Sequence, residues 1–243
     1  MIGKQRLPKV SVIIPTTDKE KDLLDTCVKS IQKSTYKNVE IIVVNEGKER
    51  SAQRNIGIDR ATGEYFLFLD SDQFISPHLI TDCVKKMNGY SAVYIPEKIV
   101  TDGFFGRLRN WERQFYTATS VDVVRFVKAV GCPMFDETMS GPEDSDWDRR
   151  VKGLRCTSEW DLYHLDNIGF IKYLKKKSYY NKSMNLFKNK WPKDKVLNWK
   201  WRCFGVYFER GKWKRCIQSP FMFLCLMGLI FIRGIIYKCQ TKF

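Results

Sequence analysis

Apolar and polar positions alternate in blocks along the first hundred residues. KVSVIIPT (residues 9–16) is a β-branched run stopped by Pro15, which predicts a buried strand. Over residues 17–34, Leu23, Leu24, Cys27, Val28 and Ile31 recur at helical spacing, and Thr17 with Glu20 has the spacing of a capping box. VEIIVVN (39–45) predicts a second buried strand. ERSAQRNIGIDRATG predicts a helix closed by Gly63, and EYFLFLD a third strand. Ser76-Pro77 opens a helix ending near Asn88-Gly89, and SAVYIP (91–96) reads as a fourth strand.

Strands apolar on both faces, alternating with helices, imply a mostly parallel α/β sheet covered on both sides. Such sheets bind ligands beyond the carboxyl ends of their strands. The third strand runs straight into Asp70-Ser71-Asp72. Two carboxylates on a turn suit a hard divalent cation whose shell is completed by phosphates. An acidic turn capping the helix at Pro77 is the alternative.

Composition divides the chain. Its 243 residues are 44% hydrophobic and 28% charged, enough for a sizeable core. The net charge of +15 is one-sided: residues 1–150 carry 22 Lys and Arg against 22 Asp and Glu, whereas residues 151–243 carry 20 against 5. Eight scattered cysteines without paired spacing read as reduced thiols in a cytosolic compartment. The apolar run of the opening segment is too short for a signal peptide. Neither G-x-G-x-x-G nor a P-loop occurs.

RNIGIDRATGEYFLFLDSD and MFDETMSGPEDSDWDRRV, with VSVIIPT before them, resemble the family 2 glycosyltransferases in order and spacing over roughly residues 9–165. The resemblance implies a GT-A, Rossmann-like fold over residues 1–170. It also implies inverting transfer from a nucleotide diphosphate sugar with Mn2+ or Mg2+. Asp70 and Asp72 match the metal and nucleotide-sugar motif, with Asp72 the direct ligand. Arg54 matches a basic position near the phosphates, or is a surface helix arginine. Pro15, Thr16 and Asp18 match the nucleotide-lining loop. Relatives usually read Asp-Asp-Gly-Ser where this chain has Asn45-Glu46-Gly47-Lys48, so Glu46 is a weaker match for a base or ribose contact. Glu143 and Asp144 match the acceptor-side pair, Asp144 as base and Glu143 binding the acceptor or orienting the base, with Asp146 and Asp148 as nearby rivals. His164 matches a histidine that in some relatives helps bind metal or diphosphate; a structural histidine is the alternative. No Gln-x-x-Arg-Trp signature of processive members occurs, which fits transfer of a single sugar.

Residues 171–216 hold 15 Lys and Arg against 2 Asp and Glu, interleaved with aromatics, and residues 219–237 are almost wholly apolar with Arg233 their only charge. One reading of 171–243 is membrane docking: cations attract anionic head groups, aromatics favour the interface, and about 18 apolar residues could span or lie in the interface, Arg233 snorkelling. A basic face with a buried helix packed on the catalytic part is a second. The apolar helix argues against a third, nucleic-acid binding. The expectation is a membrane-associated enzyme, its catalytic domain cytosolic, acting on a lipid-linked acceptor such as a polyprenyl phosphate or a lipid-linked glycan. A protein or soluble glycan acceptor, and a non-catalytic nucleotide-sugar-binding module, are the rival readings.

Overall fold

The first three apolar runs become adjacent strands. In the computed structural model, which describes residues 6–17, 21–180 and 183–240 apart from the side chains of 178–180 and 236–240, β1 (Val10–Pro15) pairs in parallel with β2 (Val39–Val44) and β3 (Tyr65–Phe68). Helices α1 (Lys21–Gln32) and α2 (Arg50–Arg60) make the crossovers. Asp18 and Glu20 lie outside the described residues.

Among the described residues the main sheet runs β2-β1-β3-β7-β5-β8, with β5 (Ala92–Tyr94), β7 (Phe126–Lys128) and β8 (Arg155–Thr157). Strand β7 is antiparallel to both neighbours, so the sheet is mixed. A second sheet, β4-β9-β6, combines β4 (Gln73–Ile75), β6 (Glu97–Val100) and β9 (Leu162–Leu165). The chain leaves β3 in one sheet and enters β4 in the other, so Asp70-Ser71-Asp72 forms the corner between them.

Period-two alternation sorts the core. Val10, Val12 and Ile14 pack with Cys27 and Ile31 of α1 and with Leu79, Ile80 and Cys83 of α3 (Leu79–Lys86). Ile13, Phe66 and Phe68 join Phe135 and Trp147 in a cluster on the opposite face. Strand β2 departs from its expected burial, because as the edge strand it is only half-covered.

Two glycines have packing reasons. Gly63 does not close α2, which ends at Arg60 with Ala61 extended. A Cβ at Gly63 would collide with Ser11, whose hydroxyl accepts the Gly63 N–H at 2.8 Å. Gly57 lets α2 lie directly on Ile13, where a Cβ would overlap the isoleucine methyl. Gly57→Ala is therefore expected to destabilise the protein by about 1–3 kcal/mol. An unchanged urea midpoint would show that the helix rides freely on the strand.

The rest of the chain is helical: α4 (Gly103–Arg113), α5 (Glu143–Arg150), α6 (Phe170–Tyr180), α7 (Met184–Lys190), the single turn α8 (Val206–Phe208), α9 (Trp213–Gln218) and α10 (Pro220–Gln240). Leu108, Phe115 and Tyr116 meet Tyr173, Val206, Tyr207, Leu226 and Leu229 in a third apolar cluster. Arg233 does not snorkel: it donates to both Glu112 oxygens, at 2.9 and 2.7 Å. Glu112 also accepts from the hydroxyls of Tyr116 and, at 3.2 Å, Tyr207. Helix α10 is thus packed against α4 along one face. Among the described residues no helix is long and apolar enough to cross a membrane, which corrects the spanning expectation for residues 219–237.

Candidate active site

The site is assembled at the carboxyl ends of β1 and β3. Because Gly57 seats α2 on β1, the side chain of Arg54 is carried, 2% exposed, between two distant segments. Its Nη2 donates to Asp70 Oδ1 at 2.9 Å, and its Nη1 to Asp144 Oδ1. The guanidinium also lies over the Phe135 ring, 5.1 Å from its centroid. Arg54 is therefore neither a surface residue nor a bystander. It ties the corner after β3 to the start of α5, 90 residues apart in sequence.

Asp70 accepts a further hydrogen bond from Gln73 Nε2 at 3.4 Å, and Arg50 Nη1 lies 3.9 Å away. Burial alone would raise its carboxyl; Arg54, then Arg50 and Arg125, outweigh that and hold it well below the usual carboxylate range. Asp72 points elsewhere. Its Oδ2 is 3.1 Å from His164 Nε2, and His164 Nδ1 is 3.0 Å from Glu97 Oε1. Burial would lower the imidazole, but its hydrogen bonds to Asp72 and Glu97 push it up to about 10, so it is an imidazolium at neutral pH. Glu97 is buried and held in turn by Arg113 at 3.1 Å and Arg125 at 3.2 Å.

The other oxygen of Asp72, Oδ1, is buried without a hydrogen-bond partner. A hard oxygen donor whose lone pairs accept no hydrogen bond fits a divalent cation. Among the described residues no group of three His, Cys, Asp or Glu is arranged around one point, so such a cation would draw its remaining ligands from phosphates and water.

The two members of the Glu143-Asp144 pair differ. Glu143 is 5% exposed, and its Oε2 accepts from the Gly141 N–H. Burial and the adjacent Asp144 charge both raise its carboxyl. The Asp144 side chain is 35% exposed, so of the two it is the one open to a substrate. The rival carboxylates are occupied in structural work. Asp146 holds Arg150, Lys190 and the Trp191 indole, and Asp148 holds the Val124 N–H, Arg149 and Arg155.

Pro15 and Thr16 end β1 beside the site, and the Thr16 carbonyl accepts from Gln53 Nε2 at 2.8 Å. Glu46 is exposed and paired with Arg60 at 2.7 Å, not with the Arg54 cluster. Sequence reasoning missed Glu97, Arg113, Arg125 and Gln73. One signal was available for Glu97: in EKIV it occupies the same alternation phase as buried Ile99.

Comparisons with known proteins bear on the family and the fold. The family model described as "Glycosyl transferase family 2" matches residues 11–51 and 46–180. A Campylobacter jejuni GalNAc(5)-diNAcBac-PP-undecaprenol beta-1,3-glucosyltransferase is 28% identical over 117 residues, covering 36% of this chain and 38% of its own. The chain spans 13% to 38% of the length of the curated relatives it matches. The fold is shared with S. aureus TarS 1-349 in complex with UDP-GlcNAc (TM-score 0.54, 14% identity, 93% of this chain and 81% of that one). It is shared also with the mannosyltransferase PcManGT from Pyrobaculum calidifontis in complex with GDP-Man and Mn2+ (TM-score 0.51, 18% identity, 72% and 61%). With a family match over most of its length and a fold shared with both solved structures, the chain belongs to glycosyl transferase family 2.

Proposed function

We propose that this protein transfers one sugar, with inversion, from a nucleotide diphosphate sugar to a lipid-linked acceptor at a membrane surface. The observation that carries the reading is Arg54, which joins Asp70 and Asp144 in one ion-pair cluster. A donor diphosphate lying along the Asp70–Asp72 corner competes with both carboxylates for that guanidinium. Released from Arg54, Asp144 is the exposed carboxylate that accepts the acceptor's hydroxyl proton. The acceptor oxygen then forms its bond to the anomeric carbon as the bond to the diphosphate oxygen breaks, and the nucleoside diphosphate departs with that electron pair. A hydroxyl acceptor needs such a base and a phosphate oxygen does not, so a lipid-linked glycan suits the site better than a bare polyprenyl phosphate.

Mn2+ or Mg2+ held at Asp72 Oδ1 would supply charge neutralisation for the leaving diphosphate. His164 bonds the other oxygen of Asp72 and fixes its orientation. It could itself ligate the cation only as a neutral imidazole, after losing the Nε2 proton.

The membrane part rests on α9 and α10. Phe221, Leu224 and Phe231 recur at helical spacing on a face of α10 left exposed, opposite buried Leu226 and Leu229; Ile217 of α9 is exposed too, and a basic tract precedes them. Leu224→Asp with Phe231→Asp is expected to release the protein from anionic vesicles in co-sedimentation without changing its melting temperature. Equal pelleting of variant and wild type would contradict membrane docking through this face. The function as a whole is tested with a panel of nucleotide sugars, Mn2+ or Mg2+, and lipid-linked saccharides, read by mass spectrometry. A product that vanishes with chelator and in Asp72→Ala is expected, and turnover only on water-soluble acceptors would refute the acceptor class.

A further inference from the structure

A cavity of about 730 Å³ opens where β6 and β9 end, beside the Asp70–Asp72 corner. Leu23, Val100, Asp102, Ile168, Lys172 and Lys176 form most of its wall. Leu165, also in the wall, donates its N–H to the Asp72 carbonyl at 2.9 Å, so the cavity is one hydrogen bond from the corner. Lys172 and Lys176 are one turn apart on the same side of α6, both exposed. The wall also carries two acids, Asp102 and Asp166, the latter paired with Arg109 at 2.7 Å, so among the described residues Lys172, Lys176 and Arg109 exceed them by one positive charge.

Apolar surface lies close by in the chain. Phe104, Phe170 and Ile171, within two residues of the lining residues Asp102 and Lys172, are exposed. Phe104 meets Phe221 of α10 at 5.8 Å between ring centroids, and Phe221 is exposed as well. Lysines in the wall with exposed apolar side chains next to them in the chain match an amphiphile whose anionic head is followed by an apolar chain. A nucleoside would have no use for that apolar surface, and none of Thr16, Glu46, Arg54, Asp70 or Asp72 lines the cavity.

We propose that this cavity takes the phosphate head of the lipid-linked acceptor through Lys172 and Lys176. The polyprenyl chain then leaves over Phe104, Phe170 and Ile171 towards α10. The assignment rests on the lipid-acceptor reading above and adds the site that would hold it.

The test uses the full chain, phosphatidylcholine vesicles with or without undecaprenyl phosphate, and the variant K172Q/K176Q. Wild type is expected to partition onto the vesicles carrying the lipid phosphate in preference to plain ones. The variant is expected to lose that preference by about 30-fold, roughly fivefold for each lysine–phosphate contact. Its affinity for UDP, measured by calorimetry, is expected to be unchanged, as is its melting temperature, since both lysines are exposed. If wild type ignores undecaprenyl phosphate, this site is overturned, while the lipid-acceptor reading is decided separately by turnover on the lipid-linked saccharides. If wild type binds it and the variant binds equally well, the cavity assignment alone is overturned. If UDP affinity drops alongside, the cavity belongs to the donor diphosphate and the assignment is wrong.

Discussion

Asp144→Asn is expected to lower kcat by about 100- to 10,000-fold, the usual span for removing a general base. The affinity for the nucleotide diphosphate should fall little, because the amide keeps a hydrogen-bonding oxygen for Arg54 and the phosphate side of the cleft is untouched. That split separates chemistry from binding. Glu143→Gln offers the contrast: the amide keeps an oxygen for the Gly141 N–H and the side chain is buried, so kcat is expected to fall far less than in Asp144→Asn. Steady-state kinetics beside calorimetry check both variants. An Asp144→Asn enzyme with near-normal kcat would require the acceptor to be activated by another group, and neither Asp146 nor Asp148 is open to a substrate.

Glu112→Ala is expected to cost about 3–5 kcal/mol of stability. The loss would leave Arg233 unpaired against α4 and remove the acceptor shared by the hydroxyls of Tyr116 and Tyr207. The wild-type pair also has a pH signature. Burial would raise the Glu112 carboxyl, but Arg233 more than offsets this and it sits at about 2. A carboxylate whose pKa is depressed on folding stabilises fully above its unfolded value, ordinarily near 4.5. That contribution, about 3 kcal/mol, drains away as pH falls from about 4.5 to about 2. Denaturant melts across that window should show a slope that Glu112→Gln flattens. A wild-type stability flat from pH 5 to 2 would mean that the pair contributes nothing.

The sequence made some of this architecture legible and hid the rest for physical reasons. Strands β1 and β3 are buried on both faces and announce themselves as continuous apolar runs. Strands β4, β6 and β9 are three or four residues long, and β6 carries Glu97 at a buried position, so periodicity has nothing to register. The reversed β7 is equally short, which is why a mostly parallel sheet was expected where a mixed one forms. Edge placement, which depends on neighbours far along the chain, decided that β2 is half-exposed. Asp70, Asp72, Glu143 and Asp144 stood out through motif spacing. Their link through Arg54 did not, because a helical arginine reads the same whether it faces water or a cleft. Arg233 misled in the opposite sense: as the only charge in an apolar run it suggested snorkelling, and its partner lies 121 residues earlier on α4.

In the proposed reaction the leaving diphosphate and the acceptor's base act on one carbon from opposite sides. The direct measurement is a crystal structure with Mn2+ and a hydrolysis-resistant analogue of the donor the enzyme accepts. The diphosphate is expected against Asp72 and Arg54, with Asp144 freed from Arg54 and the anomeric carbon turned towards Asp144. A diphosphate bound away from the Asp70–Asp72 corner, or an anomeric carbon facing away from an Asp144 still held by Arg54, would contradict the proposed reaction.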